Sequence, residues 1–278
     1  MVGEALGAAT DALEAAGVET PRLDAEVMLA AAAGRDRAML AAQPGAELEA
    51  SVARAFGEMV RRRLRREPVA YILGSKGFRR IELGVDRRVL VPRPETELLA
   101  GLALELDPAS ALDVGTGSGA IALAVADELP RCEVVATDSS EAALEVARAN
   151  AGRLGLSERV AFERGTIPAG RSFDLVLANL PYVAERDWNE LEPEVTRWEP
   201  REALLAGHDG LDAYRDLVPR LGADGGAVAA GGTAAVEVGE GQAATVAAMM
   251  KGAGFAAVET RTDLAGIERI VIGRLGGG

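Results

Sequence analysis

The chain has 278 residues, 49% hydrophobic and 26% charged, the balance of a globular protein rather than a disordered one. Its 43 acidic residues against 30 basic ones leave a formal charge of −13, which argues against a general nucleic-acid coat, because phosphate binding needs positive surface. One cysteine, Cys132, and one histidine, His208, exclude an internal disulfide and a Cys/His zinc site and leave a Ser-His-Asp hydrolase a single histidine to work with. No leader pattern and no run of about 18 apolar residues is found, so a cytoplasmic protein without a membrane span is expected.

From Val2 to Arg66 the chain is rich in Ala, Leu, Glu and Arg, which favour helix. Gly17 closes a first helix, and Thr20-Pro21 opens the next as cap and first-turn proline. Gly34 ends that helix, Pro44-Gly45 breaks the chain again, and Leu48 to Arg66 reads as a longer helix. A small helical bundle over residues 1–67 is predicted. Over residues 68–92, Val69, Tyr71, Ile72, Phe78, Ile81, Leu83, Val85 and Val89 to Val91 favour strand and are spaced by Gly74, Gly77 and Gly84, which predicts a β-hairpin linker. Residues 51–100 hold eleven Arg and one Lys against six acids. The crowd at Arg61-Arg62-Arg63 and Arg65-Arg66 reads either as a solvated helix end with cations well placed on the dipole or as a landing patch for an acidic partner.

Beyond residue 93 the pattern alternates: helix 95–106, strand 110–115, helix 119–128, strand 133–138, helix 140–154, strands 159–164 and 173–178. Strands and helices at this spacing imply right-handed crossovers and a parallel, doubly wound α/β sheet, whose ligands bind at the carboxyl ends of the strands. The turn Gly115-Thr116-Gly117-Ser118-Gly119 follows an apolar strand and precedes an Ala-rich helix, so its backbone can approach a ligand closely. Asp138 ends the next strand, where an acid accepts hydrogen bonds from ribose hydroxyls. Together they predict an adenosine-type cofactor. Gly115-x-Gly117-x-x-Ala120 also fits a dinucleotide fingerprint; Gly-x-Gly-x-Gly and the next motif favour S-adenosylmethionine.

That motif is Asn179-Leu180-Pro181-Tyr182, at the end of the strand from Phe173 to Ala178. It resembles the Asn-Pro-Pro-Tyr signature of methyltransferases that act on planar nitrogens. An amide nitrogen is a poor nucleophile because its lone pair is delocalised. Asn179 Oδ1 and the Leu180 carbonyl can accept the two N–H bonds of an –NH2 group and aim the lone pair at the methyl, catalysis by positioning rather than by a base. Tyr182 offers a ring face to a flat substrate and to positive charge.

Arg66-Glu67-Pro68, Val91-Pro92-Arg93-Pro94-Glu95-Thr96-Glu97, Glu199-Pro200-Arg201-Glu202-Ala203-Leu204, Asp209 to Arg215 and Asp263 to Gly266 resemble the HemK/PrmC-type glutamine methyltransferases of peptide chain release factors, over the whole chain. The resemblance implies a class I methyltransferase sheet of seven strands with the last antiparallel in residues 93–278. It also implies a helical N-terminal domain that docks the release factor, and a Gly-Gly-Gln glutamine as target. It assigns the methionine moiety to Gly115, Thr116, Gly117, Ser118 and Gly119, the ribose to Asp138, and the target amide to Asn179, Leu180, Pro181 and Tyr182. Ile167, beside Thr166, occupies the stretch where the family lines the adenine pocket. No metal and no direct nucleic-acid substrate are expected. The alternatives are a ribosomal-protein glutamine methyltransferase and, in a different class, an rRNA or DNA adenine methyltransferase, since Asn-Leu-Pro-Tyr also occurs in rRNA adenine dimethyltransferases. Gly222 to Gly239 is richer in Gly and Ala than the family pattern.

Overall fold

The computed structural model describes residues 1–222 and 225–277. The chain divides into two compact units, residues 1–75 with 192–198, and residues 76–191 with the chain from Glu199 onward.

The first unit packs helices α1 (Val2–Ala15), α2 (Pro21–Ala33), α3 (Arg37–Ala42), α4 (Ala50–Arg63) and α5 (Val69–Leu73) around Leu6, Leu13, Met28, Leu29, Phe56 and Ile72. Thr20 precedes α2 as expected, but its hydroxyl donates to Asp24 Oδ1 at 2.9 Å instead of capping the helix. The strand expected from Val69 to Ile72 is a helical turn. Pro68 starts it by accepting from the amides of Tyr71 and Ile72, both at 3.0 Å, and Ile72 reaches the helical core, so burial overrides β propensity.

The arginine cluster divides: Arg61 and Arg65 are exposed, as a solvated helix end has them, while Arg62, Arg63 and Arg66 are partly or fully buried. Arg63 is buried; its guanidinium donates to Asp24 Oδ2 at 2.7 Å and Glu194 Oε1 at 2.6 Å. Arg66 donates to Glu194 Oε1 at 2.7 Å, Glu192 Oε2 at 2.6 Å and the Gly17 carbonyl at 2.9 Å. Arg62 forks onto Glu67 at 2.6 and 2.8 Å. Burial alone would raise the Glu194 pKa, but hydrogen bonds from Arg66 and Arg63 outweigh it and hold the carboxyl below its ordinary value. Arg63 and Arg66 are internal fasteners for the 192–198 segment, whose Trp198 also donates Nε1–H to the Arg65 carbonyl at 3.3 Å. Sequence spacing could not show this, because Glu194 is 131 residues from Arg63.

In the second unit a two-stranded sheet, β1 (Ser75–Phe78) and β2 (Ile81–Gly84), precedes α6 (Glu97–Leu106), β3 (Ser110–Val114), α7 (Ala120–Glu128), β4 (Glu133–Asp138), α8 (Glu141–Leu154), β5 (Val160–Arg164) and β6 (Phe173–Ala178). Then come α9 (Pro193–Trp198), which belongs to the first unit, α10 (Asp212–Leu221), β7 (Val228–Glu237), α11 (Ala243–Gly252), β8 (Ala257–Thr262) and β9 (Glu268–Arg274). Among the described residues, the main sheet has seven strands in the order β5-β4-β3-β6-β7-β9-β8. Neighbours from β5 to β7 are parallel, and β9, the last strand, runs antiparallel to both β7 and β8. Val85 and Val89 to Val91, expected as strand, are irregular.

Period-2 alternation explains the core. Val134, Ala136, Leu175 and Leu177 join one cluster with Leu99 and Leu123. Val135, Val176 and Ala178 join the other with Tyr214 and Leu217. The same rule accounts for most of the Gly/Ala-rich stretch. Ala234 and Val236 pack into the second cluster and Ala235 into the first, so β7 is covered on both faces. The bulge opposite Phe173 and Leu175 accommodates Gly231 and Gly232. Residues 223 and 224 lie outside the described residues.

Candidate active site

Strand order reverses at β3, with β4 on one side and β6 on the other. Val114 is level with Thr137 and with Ala178, so the glycine turn, Asp138 and Asn179 emerge together at the carboxyl edge, where such sheets bind ligands.

Asp113, at the end of β3, is 2% exposed. Its Oδ2 accepts the Thr116 hydroxyl at 2.7 Å and the Ala122 amide at 3.1 Å, tying the turn to the first turn of α7. Burial is the main force pushing its pKa up to about 7, against the hydrogen bonds from Thr116 and Ala122; the charge of Asp138 adds to the rise. Two of the glycines do different work. Gly117 has a left-handed φ of 55° and open space where a Cβ would stand, which leaves its backbone accessible from the cleft. Gly119 has φ 86° and would place a Cβ 2.8 Å from Leu123 Cδ1, so it is needed for helix packing. Asp138 accepts the Gly117 amide at 2.9 Å on Oδ2 and the Ser140 amide at 2.8 Å on Oδ1. Each oxygen keeps a lone pair for another donor.

A cleft over this edge is lined by Gly115, Thr116, Gly117, Ser118, Asp138, Asn179, Leu180 and Pro181, together with Arg93, Thr96, Thr166, Pro200 and Glu202. Eight expected site residues thus come together around one cavity. Three do not line it. Gly119 lies in the packing layer beneath. Ile167 packs on the hydrophobic cluster below the sheet edge, and it is Thr166 that reaches the cleft, its carbonyl accepting the Thr137 hydroxyl at 2.7 Å. Tyr182 sits behind the cleft, against the same cluster. Its carbonyl accepts Gln242 Nε2–H at 2.9 Å, and its ring packs where a Cβ on Gly239 would stand 3.1 Å from Cδ2. Burial pushes the Tyr182 phenol up to about 12, with the Glu237 charge adding to it.

Asn179 Nδ2 donates to Thr96 Oγ1 at 2.8 Å, which turns Oδ1 away from that bond. Glu237, at the end of β7, is 2% exposed and its Oε2 is buried without a hydrogen-bond partner. Burial is the main force pushing its pKa up to about 7. Thr96 and Asn179 counter it by hydrogen bonding, Arg269 counters it by charge, and Glu95 adds to it. Sequence reasoning assigned no role to Thr96, Glu237 or Asp113. The signal for Asp113 was available, an acid closing an apolar strand just before the glycines; Glu237 stands alone in an Ala/Val run and gave its own hint only as a charge in a buried strand. Glu199 is also buried, and its Oε1 accepts Arg93 Nη2–H at 2.6 Å while its Oε2 accepts the Val91 amide at 3.2 Å, which fixes one wall of the cleft.

A protein-family model described as the PrmC N-terminal domain matches residues 4–74, and one described as a methyltransferase domain matches residues 111–198. The release factor glutamine methyltransferase of Caulobacter vibrioides is 43% identical over 96% of this chain and 93% of its own length. That of Geobacter sulfurreducens is 42% identical over 94% of this chain and 92% of its own. The chain belongs to the release factor glutamine methyltransferase family. A methyltransferase from Pyrococcus furiosus, 18% identical, shares the fold with a TM-score of 0.51 over 70% of this chain and 88% of that one. The first family match ends at Gly74, where α5 stops. As a member of this family the chain is a class I methyltransferase, and its seven-stranded sheet with a reversed last strand is that fold. Among the described residues no helix is long and apolar enough to cross a membrane, and no group of three or more His, Cys, Asp or Glu is placed to hold a metal ion.

Proposed function

We propose that the chain, acting in the cytoplasm, transfers a methyl group from S-adenosylmethionine to the side-chain amide nitrogen of the glutamine in the Gly-Gly-Gln loop of a peptide chain release factor. The observation that carries this reading is Asn179, at the switch point beside the glycine turn, with its own –NH2 tied to Thr96 and its Oδ1 left to accept. The cofactor supplies an electrophilic methyl group on a sulfonium. The chain's residues fit that group: Gly117 keeps the backbone open to the cleft, and the two Asp138 oxygens, held by backbone amides, suit ribose hydroxyls. Asn179 Oδ1 and the Leu180 carbonyl would hold the two N–H bonds of the glutamine amide and so fix the direction of its nitrogen lone pair. Tyr182, at the back of the site, would brace the loop that carries them. The helical first unit would dock the body of the release factor.

The test is methyl transfer from labelled S-adenosylmethionine to purified release factor, to a variant with that glutamine changed to alanine, and to rRNA. Label should enter only the unaltered release factor. Label in RNA and none in release factor would replace this reading with adenine methylation.

A further inference from the structure

We infer that Glu237 is a positioning residue for methyl transfer: through the Thr96 hydroxyl it fixes which end of the Asn179 amide faces the substrate. The inference rests on the reading of Asn179 as the acceptor of the target amide.

An asparagine amide has two ends of nearly equal size, and only the oxygen can accept from an incoming –NH2. Something must therefore break the symmetry between the two orientations. Thr96 alone cannot. A hydroxyl both donates and accepts, so it would bond to Asn179 Nδ2 in one orientation and to Oδ1 in the other. An ionised carboxylate only accepts. Glu237 lies within reach of both side chains; an ionised carboxylate there would draw the Thr96 proton and leave Oγ1 to accept from Asn179 Nδ2, the bond seen at 2.8 Å. A flipped Asn179 would aim its oxygen at the same carboxylate and be repelled. The chain of donors runs one way, and its far end is an Oδ1 free for the substrate.

Two further features fit this role. A charge on the last residue of β7, 2% exposed, contributes nothing to packing that Leu or Val would not supply. Its backbone is also anchored, because the Tyr214 hydroxyl donates to the Glu237 carbonyl at 2.7 Å. The groups that face the carboxyl are Thr96, Asn179, Glu95, Arg269, Tyr182 and Tyr214. If the carboxyl is protonated it becomes a donor and no longer repels a flipped Asn179, whose Oδ1 can then bond to it and is lost as the acceptor for the substrate. Turnover should therefore rise as Glu237 ionises near neutral pH.

The experiment measures glutamine methylation of release factor by Glu237→Gln, Thr96→Val, Thr96→Ser and Asn179→Ala in the full chain, with calorimetric binding of S-adenosylhomocysteine as the check of folding. Glu237→Gln should lower kcat at least tenfold, leave KM for release factor and cofactor affinity within about twofold, and lose the near-neutral limb of the pH profile. Thr96→Val should behave alike, and Thr96→Ser should restore most of the loss. If Glu237→Gln binds cofactor normally and keeps the wild-type rate and pH profile while Asn179→Ala is inactive, the inference fails and the role of Asn179 stands. If Asn179→Ala is itself active, both fall. Should Glu237→Gln fail to fold, equal rates for Thr96→Val and Thr96→Ser would overturn the relay, and a loss confined to valine would support it.

Discussion

The two walls of the cleft hold their polar groups by different means. On the β3–β4 wall the anchors are nearer in sequence: Asp113 is bonded to Thr116 and Ala122, three and nine residues on, and Asp138 to Ser140, two residues on, and to Gly117, 21 residues back. On the β6 wall, Asn179 is tied to Thr96 across 83 residues, and the Tyr182 carbonyl to Gln242 across 60. The first wall is a strand–turn–helix unit whose geometry follows from its own backbone. The second is positioned by three separate parts of the chain, so its geometry depends on tertiary packing. Cofactor affinity and methyl transfer should therefore respond separately to substitution.

Asn179→Ala separates them most sharply. On the proposed function it removes one acceptor for the target amide and frees that amide to rotate, while nothing on the β3–β4 wall is touched. Turnover should fall by at least about 100-fold, the scale for misplacing a reacting group, with S-adenosylhomocysteine affinity changed little. Near-normal transfer in a filter assay would remove Asn179 from the chemistry.

Asp138→Ala is the converse. It frees the Gly117 and Ser140 amides and, on the proposed function, removes the acceptors for the ribose hydroxyls. Cofactor affinity should weaken by about 1.5–3 kcal/mol, the range for bonds to a charged acceptor. Turnover at saturating cofactor should fall far less than in Asn179→Ala. Calorimetric titration decides it, and unchanged affinity would mean that Asp138 serves only the turn.

The difference between the walls also explains what the sequence could tell. β4 and β6 were predicted to the residue, and the order of crossovers followed from alternation, because local spacing determines both. Gly117 and Asp138 were legible for the same reason. Thr96 and Glu237 were not, since no spacing places residues from before α6 and from the end of β7 beside Asn179. The roles of Arg63 and Arg66 were hidden in the same way, their partner Glu194 arriving from the distant segment 192–198. Ile167 failed by one residue, because the chain after β5 turns Thr166 into the cleft and Ile167 into the core.

Asp113 tests the local wall by pH. Its carboxyl is held protonated up to about pH 7 in the fold, whereas an aspartate in the unfolded chain titrates near 3.9. The folded state binds the extra proton, so this group's contribution is complete below about pH 4 and is lost as pH rises toward and through 7. Asp113→Asn removes that dependence. The stability of wild type relative to Asp113→Asn should fall by roughly 1–3 kcal/mol between pH 4.5 and 8, read from urea midpoints. A difference independent of pH would mean that the carboxyl is ionised throughout and that Thr116 and Ala122 bind a charge.

Leu180→Pro should have the smallest effect, and it asks whether the β6 wall uses a side chain or only a backbone at this position. The role given to residue 180 needs its carbonyl, which proline keeps, and Asn179 leaves a strand, an extended conformation that the residue before proline favours. The leucine side chain is 9% exposed, packs with the cluster that holds Tyr214, and lies 3.6 Å from where a Cβ on Gly115 would stand. Proline trims part of that packing, a loss on the order of 1 kcal/mol. Against it, a fixed φ lowers the entropy of the unfolded chain by a similar amount, about 0.4–1 kcal/mol. The two nearly cancel, so stability should move by less than about 1 kcal/mol and glutamine methylation by less than about threefold. Methyl transfer to release factor and to adenine-containing RNA should be measured for both proteins. A tenfold fall in glutamine methylation would show that the leucine side chain or its N–H holds the loop, and a gain on RNA would show that residue 180 selects the substrate.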